Sequence, residues 1–138
     1  MRTVYSLLWI LALPYVRLRL WWRGRRESGY RECIGERFGR YAAPTPVQSA
    51  PVLWVHAVSL GETRAAAPVV DRLRRAYPAA TLLVTHMTAT GRAAAHALFG
   101  NRVVQAWLPY DVPFAVRAFY AHWKPCAAVS ISSAPASR

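Results

Sequence analysis

From Val52 onward the sequence alternates short apolar runs with longer segments whose apolar residues recur at helical spacing, joined by connections of only a few residues. Val52–Val58, Thr81–Thr85, Arg102–Leu108 and Cys126–Ile131 read as strands, each bounded by polar or turn-forming residues. Ala65–Tyr77, Gly91–Phe99 and a stretch from Pro113 to about Trp123 read as helices. Strand–helix alternation with short loops implies a parallel sheet with right-handed crossovers and helices on both faces. The expected fold class is α/β, a Rossmann-like parallel sheet.

Local signals refine this reading. The first helix is expected to turn Ala66, Val69, Val70, Leu73 and Tyr77 to one face, with Pro78 as its stop. Pro68 must fall in the early turns or kink that helix. Gly100 stands where a left-handed cap is needed, and Asp111 stands as an N-cap ahead of Pro113. The tail from Ser130 to Arg138 is small and polar, so no helix is expected after the fourth strand to cover the sheet. A sheet left uncovered in this way reads as half of a larger unit.

At 138 residues the chain has room for one domain with a real core, and an apolar content of 54% excludes general disorder. Lys and Arg number 18 against 6 Asp and Glu, a net charge of +12. All but Lys124 are Arg, the better bidentate partner for phosphate or carboxylate. That balance points to an anionic partner: nucleic acid, acidic lipid or a phosphorylated substrate. Cys33 and Cys126 lie far apart with no CxxC pair and no His at ligand spacing, so neither a disulfide framework nor a zinc site is indicated. No metal ligand set and no cofactor motif is expected: GxGxxG, the phosphate-binding GK[ST] loop and GxSxG are all missing from the sequence.

Thr3 to Val16 is almost wholly apolar, and as a helix it would span about 21 Å, short of a hydrocarbon core of about 30 Å. Carried on to Trp22 it reaches about 30 Å but takes in Arg17 and Arg19, which can snorkel to headgroups. Trp21 and Trp22 suit an interfacial belt, and Arg23, Arg25, Arg26 and Arg31 after them place the body of the chain in the cytoplasm by the positive-inside rule. A buried core helix is the competing reading. A signal peptide would carry its charge before the apolar run, not after it. The organisation expected is an anchor and basic juxtamembrane helix over 1–26, a connecting segment and proline-rich linker over 27–51, an α/β domain over 52–131 and an unstructured tail over 132–138.

The first strand ends in Ser59-Leu-Gly-Glu62, which sets a carboxylate at the start of a helix. Open parallel sheets keep their chemistry at the C-terminal ends of strands, and Gly61 there would let a ligand approach the backbone. Glu62 is therefore a candidate catalytic group, with Ser59 and Gly61 beside it. An ordinary helix N-terminus also favours an acid, and Ser59 also serves as a cap. Thr85, Thr88 and Thr90 with Gly91 offer hydroxyls and helix N–H groups to a phosphate, or simply make a satisfied turn. His56 is expected to be a hydrogen-bonded core residue, His86 to reach the same crevice, and His96 and His122 to lie on the surface.

Taken together, several signatures resemble the N-terminal half of the Kdo transferases, which add 3-deoxy-D-manno-octulosonic acid (Kdo) to lipid A precursor. They are Leu20-Trp-Trp-Arg-Gly-Arg25, Tyr30-Arg31, Gly35-Glu-Arg-Phe-Gly39, His56-Ala-Val-Ser-Leu-Gly-Glu-Thr63, Thr85-His-Met-Thr-Ala-Thr-Gly91 and Leu108-Pro-Tyr-Asp111. The resemblance implies a GT-B glycosyltransferase of two Rossmann-like domains, the N-terminal one facing the lipid A precursor and the C-terminal one binding CMP-Kdo. It implies an inverting, metal-independent enzyme at the cytoplasmic face of the inner membrane, resting on an anionic membrane surface and needing no cofactor. On the matching motif Glu62 takes the position of the general base. The family continues after the fourth strand with a Glu-rich, Trp-Pro stretch, where this chain reads Ser130-Ile-Ser-Ser-Ala-Pro. The expectation is a truncated acceptor half, inactive without a donor domain. The alternative is a basic module for membrane surfaces or nucleic acid, although no nucleic-acid-binding signature is present and no nucleic acid is expected as a partner.

Overall fold

A computed structural model of the chain describes residues 11, 12, 14–16, 18, 19, 21, 22, 29, 32–42 and 50–132. Strands β1 (Val52–Ala57), β2 (Thr81–His86), β3 (Val104–Trp107) and β4 (Ala127–Ile131) form one parallel sheet in the order β3-β2-β1-β4. Val52 lies opposite Thr81, Leu53 opposite Ala127, and Leu83 opposite Val104. Helices α1 (Leu60–Ala76), α2 (Ala89–Phe99) and α3 (Pro113–Trp123) are the crossovers. The chain steps outward through β2 and β3, then returns through α3 to β4 on the far side of β1. Such a reversal sends α1 and α2 to one face and α3 to the other.

The period-2 alternation of the strands decides what each face holds. Leu53, Val55, Leu82, Val84 and Val103 pack with Ala66 and Val70 of α1 and Ala95 and Phe99 of α2. On the other face Val52, Trp54, Leu83 and Ala106 pack under Phe119 and Trp123 of α3, joined by Tyr41. The Tyr41 ring stacks on His122 at 5.1 Å and meets the Trp123 ring edge-on at 5.7 Å. His122 is thus half-buried in an aromatic layer and not a surface residue, whereas His96 is exposed as expected.

Several element ends differ from the sequence expectation, each for a local reason. The first helix begins five residues earlier than the apolar spacing suggests, because Ser59 caps it and the exposed first turn carries no periodicity. The second begins at Ala89 because Thr88 accepts the Gly91 N–H. Asp111 is not the N-cap of α3: Val112 holds that position with no side-chain cap. Pro68 lies inside α1 and not in its opening turn. Tyr77 is the C-cap of α1 and 53% exposed, so it leaves the buried face. Gly100 is the C-cap with positive φ, but at ψ −132° it is not in the left-handed helical conformation expected of it, and it opens a 3-10 turn over Gly100–Arg102.

Ahead of the sheet, the 3-10 helix Ile34–Phe38 is seated on the domain by two buried charges, Glu36 and Arg37. Glu36 Oε2 accepts from the Trp107 main-chain N–H at 2.8 Å and from Arg92 Nη1 at 3.2 Å. Arg37 Nη2 donates to the Met87 carbonyl at 3.0 Å, and the guanidinium lies 3.9 Å over the Trp107 ring. Gly39 ends the helix at φ +79°, and a Cβ there would stand 2.7 Å from that of Ala118 in α3. The Gly35–Gly39 segment is therefore an anchored part of the domain.

The N-terminal anchor expectation falls partly on residues 1–10, outside the described residues. Those described between 11 and 22 are helical, and among the described residues no helix is long and apolar enough to cross a membrane. The expected linker lies mostly outside the described residues as well, as does the tail beyond Ser132.

Two stability outcomes follow. Replacing Glu36 by Gln strands the Arg92 guanidinium, whose side chain is 18% exposed, and removes a charged acceptor from the Trp107 N–H. Urea denaturation is expected to show a loss of about 3 kcal/mol, against under about 1 kcal/mol for Asp71→Asn at the exposed Arg102 pair. The second outcome concerns His86, which is fully buried and has its imidazole pushed down to about 4, first by burial. The unfolded chain then binds the proton first as pH falls below the ordinary value of 6.5. Stability should therefore drop between about pH 6.5 and pH 4 and level off below, with a slope of up to about 1.4 kcal/mol per pH unit. His86→Asn should flatten that slope in a urea series across this range.

Candidate functional site

The strand order reverses between β1 and β4, and in open α/β sheets the crevice at such a reversal is where ligands bind. The first turn of α1 opens onto that rim. Ser59, in extended conformation at the N-cap, accepts the Glu62 N–H at 3.4 Å. Glu62 Oε2 accepts the Val58 N–H at 2.6 Å, one residue ahead of the cap, so the side chain folds back over the start of the helix. Behind it Thr63 is fully buried and donates to the Ser59 carbonyl at 2.8 Å. Glu62 itself is half-buried, with Oε2 held by Val58 and no hydrogen bond to its other carboxylate oxygen among the described residues. A Cβ added to Gly61 would meet nothing within 4 Å, so packing does not require glycine there and the approach to the backbone is open.

The N-terminus of α2 stands beside that of α1. Thr88 Oγ1 accepts the Gly91 N–H at 3.2 Å and donates to the Val58 carbonyl at 3.0 Å, tying the two corners together. A Cβ at Gly91 would stand 3.0 Å from Thr88 Oγ1 and 3.3 Å from the Ser59 carbonyl carbon, so Gly91 permits the close approach of the two turns. Thr90 Oγ1 lies 3.5 Å from Thr88 Oγ1, on the exposed side. Six of the residues read from the sequence, Ser59, Gly61, Glu62, Thr88, Thr90 and Gly91, thus meet at two adjacent helix N-termini, where main-chain N–H groups and the helix dipoles favour an anion.

Thr85 does not join them. It is fully buried on the α3 face, where its hydroxyl accepts from Trp54 Nε1 at 2.8 Å and lies 2.9 Å from His56 Nδ1. Strand alternation turns it away from the turn it precedes. His86 is also displaced from its expected place: it points under α1 and α2, and its Nδ1 donates to the Ala57 carbonyl at 3.2 Å. His56 is half-buried near the end of β1 and hydrogen-bonded as expected, though at the margin of the core and not within it. Burial pushes its imidazole down, against the raising effects of the nearby Thr85 main chain and of the Glu62 charge.

A cavity of about 700 Å³ lies along the outer side of α2, lined by Glu32, Thr90, Arg92, His96 and Gln105 among others. It adjoins the rim at Thr90 and does not contain Glu62. Among the described residues no three His, Cys, Asp or Glu side chains converge as metal ligands. The residues that the sequence reading left unassigned are Glu36, Arg37 and Arg92, which hold the Met87–Gly91 turn from behind. Their signal was the pair of charges inside Gly35-Glu-Arg-Phe-Gly39.

The 3-deoxy-D-manno-octulosonic-acid transferase (kdotransferase) family model matches residues 32–133, the stretch from the buried 3-10 helix to the end of the last strand. A 3-deoxy-D-manno-octulosonic acid transferase of Bordetella pertussis is 47% identical over 131 residues, covering 90% of this chain and 30% of the relative. One from Haemophilus influenzae is 32% identical over 120 residues, covering 86% of this chain and 27% of the relative. A probable mitochondrial 3-deoxy-D-manno-octulosonic acid transferase of Arabidopsis thaliana is 34% identical over 116 residues, covering 84% and 26%. The chain spans less than a third of the length of these relatives. With the matched stretch taking in the sheet, both helix N-termini and the clamp behind them, the chain belongs to the 3-deoxy-D-manno-octulosonic acid transferase family.

Proposed function

We propose that these residues form the acceptor-facing domain of an inverting, metal-independent glycosyltransferase that moves Kdo from CMP-Kdo to lipid A precursor. The observation that carries this reading is the place of Glu62. Its carboxylate stands half-buried at the strand-order reversal, with one oxygen held by the Val58 N–H and the other left without a hydrogen bond among the described residues. A carboxylate fixed at one oxygen is a suitable general base: it takes the proton of the attacking sugar hydroxyl as the anomeric carbon becomes oxocarbenium-like. The paired N-termini at Ser59–Glu62 and Thr88–Gly91 would hold the phosphate of a phosphorylated glycolipid, with the excess of Arg drawing it in. The charge also suits a nucleic-acid-binding module, the competing class.

The same reading places the chain at the cytoplasmic face of the inner membrane. Leu11, Tyr15, Leu18 and Trp22 follow one another at helical spacing and are 75%, 67%, 61% and 70% exposed. Val16, on the opposite side of the helix, packs towards Trp107. An apolar stripe turned outward from a basic helix suits a lipid interface. Flotation with vesicles containing anionic lipid should recover the chain, and Leu18→Glu with Trp22→Glu should lower the bound fraction by about tenfold. Unchanged flotation, or binding to random oligonucleotides tighter than to vesicles, would overturn this placement.

The catalytic reading is tested in a fusion of this chain to the remaining C-terminal part of the Bordetella pertussis relative. Glu62→Gln keeps the size and the hydrogen bond to Val58 but removes the base. Transfer from CMP-Kdo should fall about 10²–10⁴-fold with little change in acceptor KM. Were Glu62 a cap alone, the substitution would leave turnover near normal and lower stability by about 1 kcal/mol. Measuring rate and Tm on the same variant separates the two.

A further inference from the structure

His56 is the last but one residue of β1, two positions before Val58, whose N–H holds the Glu62 carboxylate, and the Glu62 charge reaches its ring. Its partner across the ladder is Thr85. The indole N–H of Trp54 can only donate, so it occupies one lone pair of the Thr85 hydroxyl at 2.8 Å. That hydroxyl is fully buried and still carries a proton, and His56 Nδ1, able to accept or donate according to its tautomer, lies beside it at 2.9 Å. A ring protonated at Nδ1 would donate towards the Thr85 main chain instead and would leave the hydroxyl proton buried without an acceptor, a state that folded proteins avoid. The network therefore selects the neutral ring with its proton on Nε2, the nitrogen turned away from Thr85. Trp54 in turn is wedged against Phe119 at 4.8 Å, so the Trp54–Thr85–His56 chain rests on the packed α3 face.

We propose that His56 is a second working group of this site: its Nε2–H donates to the oxygen of the acceptor hydroxyl whose proton Glu62 removes. The proposal rests on the transferase reading above. In the step, the hydroxyl proton passes to the Glu62 carboxylate and the freed oxygen bonds to the anomeric carbon of CMP-Kdo. The bond from that carbon to the phosphate oxygen breaks, and its electron pair leaves with CMP. A donor at the attacking oxygen holds it in line and stabilises charge that develops as the proton leaves. Neutrality matters, because an imidazolium there would pair with Glu62 and weaken it as a base. The groups that act on the ring are Thr85 and the Glu62 charge, while His86 of the neighbouring strand lies on the other face of the sheet, close enough only for a charge on His56 to lower it.

The state of the ring is read on the full chain in detergent micelles, labelled with 15N-histidine. There are only 4 His residues, and the His56 resonances are those lost in His56→Asn. At pH 7 the pattern expected is a neutral ring protonated at Nε2, and Glu62→Gln should move its titration midpoint lower, because the Glu62 charge raises it. A ring protonated at Nδ1, or a midpoint indifferent to Glu62→Gln, overturns the proposal. The role is read in the fusion enzyme by two substitutions that each keep one half of the ring. A Gln side chain reaches the Nε2 position, and an Asn side chain reaches only the Nδ1 position. His56→Asn should lower kcat by about 10–100-fold with Tm preserved, and His56→Gln by less than about fivefold. The reverse order would make contact with Thr85 the valuable half and reduce His56 to a packing residue, which also overturns the proposal. The ring measurement does not depend on turnover. A fusion with no transferase activity beside the expected ring state therefore counts against the transferase reading and, with it, against the role given to His56.

Discussion

Parallel pairing of β1 with both β2 and β4 is the constraint from which the rest of the domain follows. A parallel strand cannot be reached by a tight turn, so each pairing demands a crossover, and each crossover helix here starts at the same rim of the sheet. The N-termini of α1 and α2 are thereby brought side by side. Their unpaired N–H groups and dipoles accumulate at one edge without any residue having been selected for a ligand. What the sequence adds is the room to bring them together: Gly91 lets α2 approach Ser59, and Thr88 bonds across to Val58. The buried Glu36 and Arg37 then fix the turn from outside, one through Arg92 and the other through the Met87 carbonyl.

How much of this was legible in the sequence depended on how local each signal was. The strand–helix alternation is carried by neighbouring residues, so the fold class and all four strands could be read directly. Glu62 could be read as well, since Ser59 and Glu62 sit three residues apart and the Glu62 N–H bond to Ser59 is a short-range capping pattern. Asp111 misled because a good capping residue stood one position before the real cap, Val112, which uses no side chain. Thr85 misled because its hydroxyl type matched the turn that follows, while strand alternation turned it to the other face. Glu36 and Arg37 were not legible as core residues at all. Their partners lie at Trp107, Arg92 and Met87, and two charges in succession ordinarily mean a solvated surface.

The capping and catalytic readings of Glu62 are compatible, because they draw on different oxygens of one carboxylate. Such a group has about four lone-pair sites on its two oxygens, and the bond to Val58 uses one of them. The cap also restrains the side chain, which would otherwise sample several rotamers over an open glycine. Restraint of that kind contributes about 1 kcal/mol to stability, whereas a positioned base contributes about 10²–10⁴ in rate, or roughly 3–5 kcal/mol at the transition state. The oxygen that the cap leaves open therefore carries the greater share of what Glu62 can contribute. On the proposed reading, a helix N-terminus at a strand-order reversal does two things with one residue: the dipole and the Val58 amide hold the carboxylate, and its other oxygen is left for the acceptor.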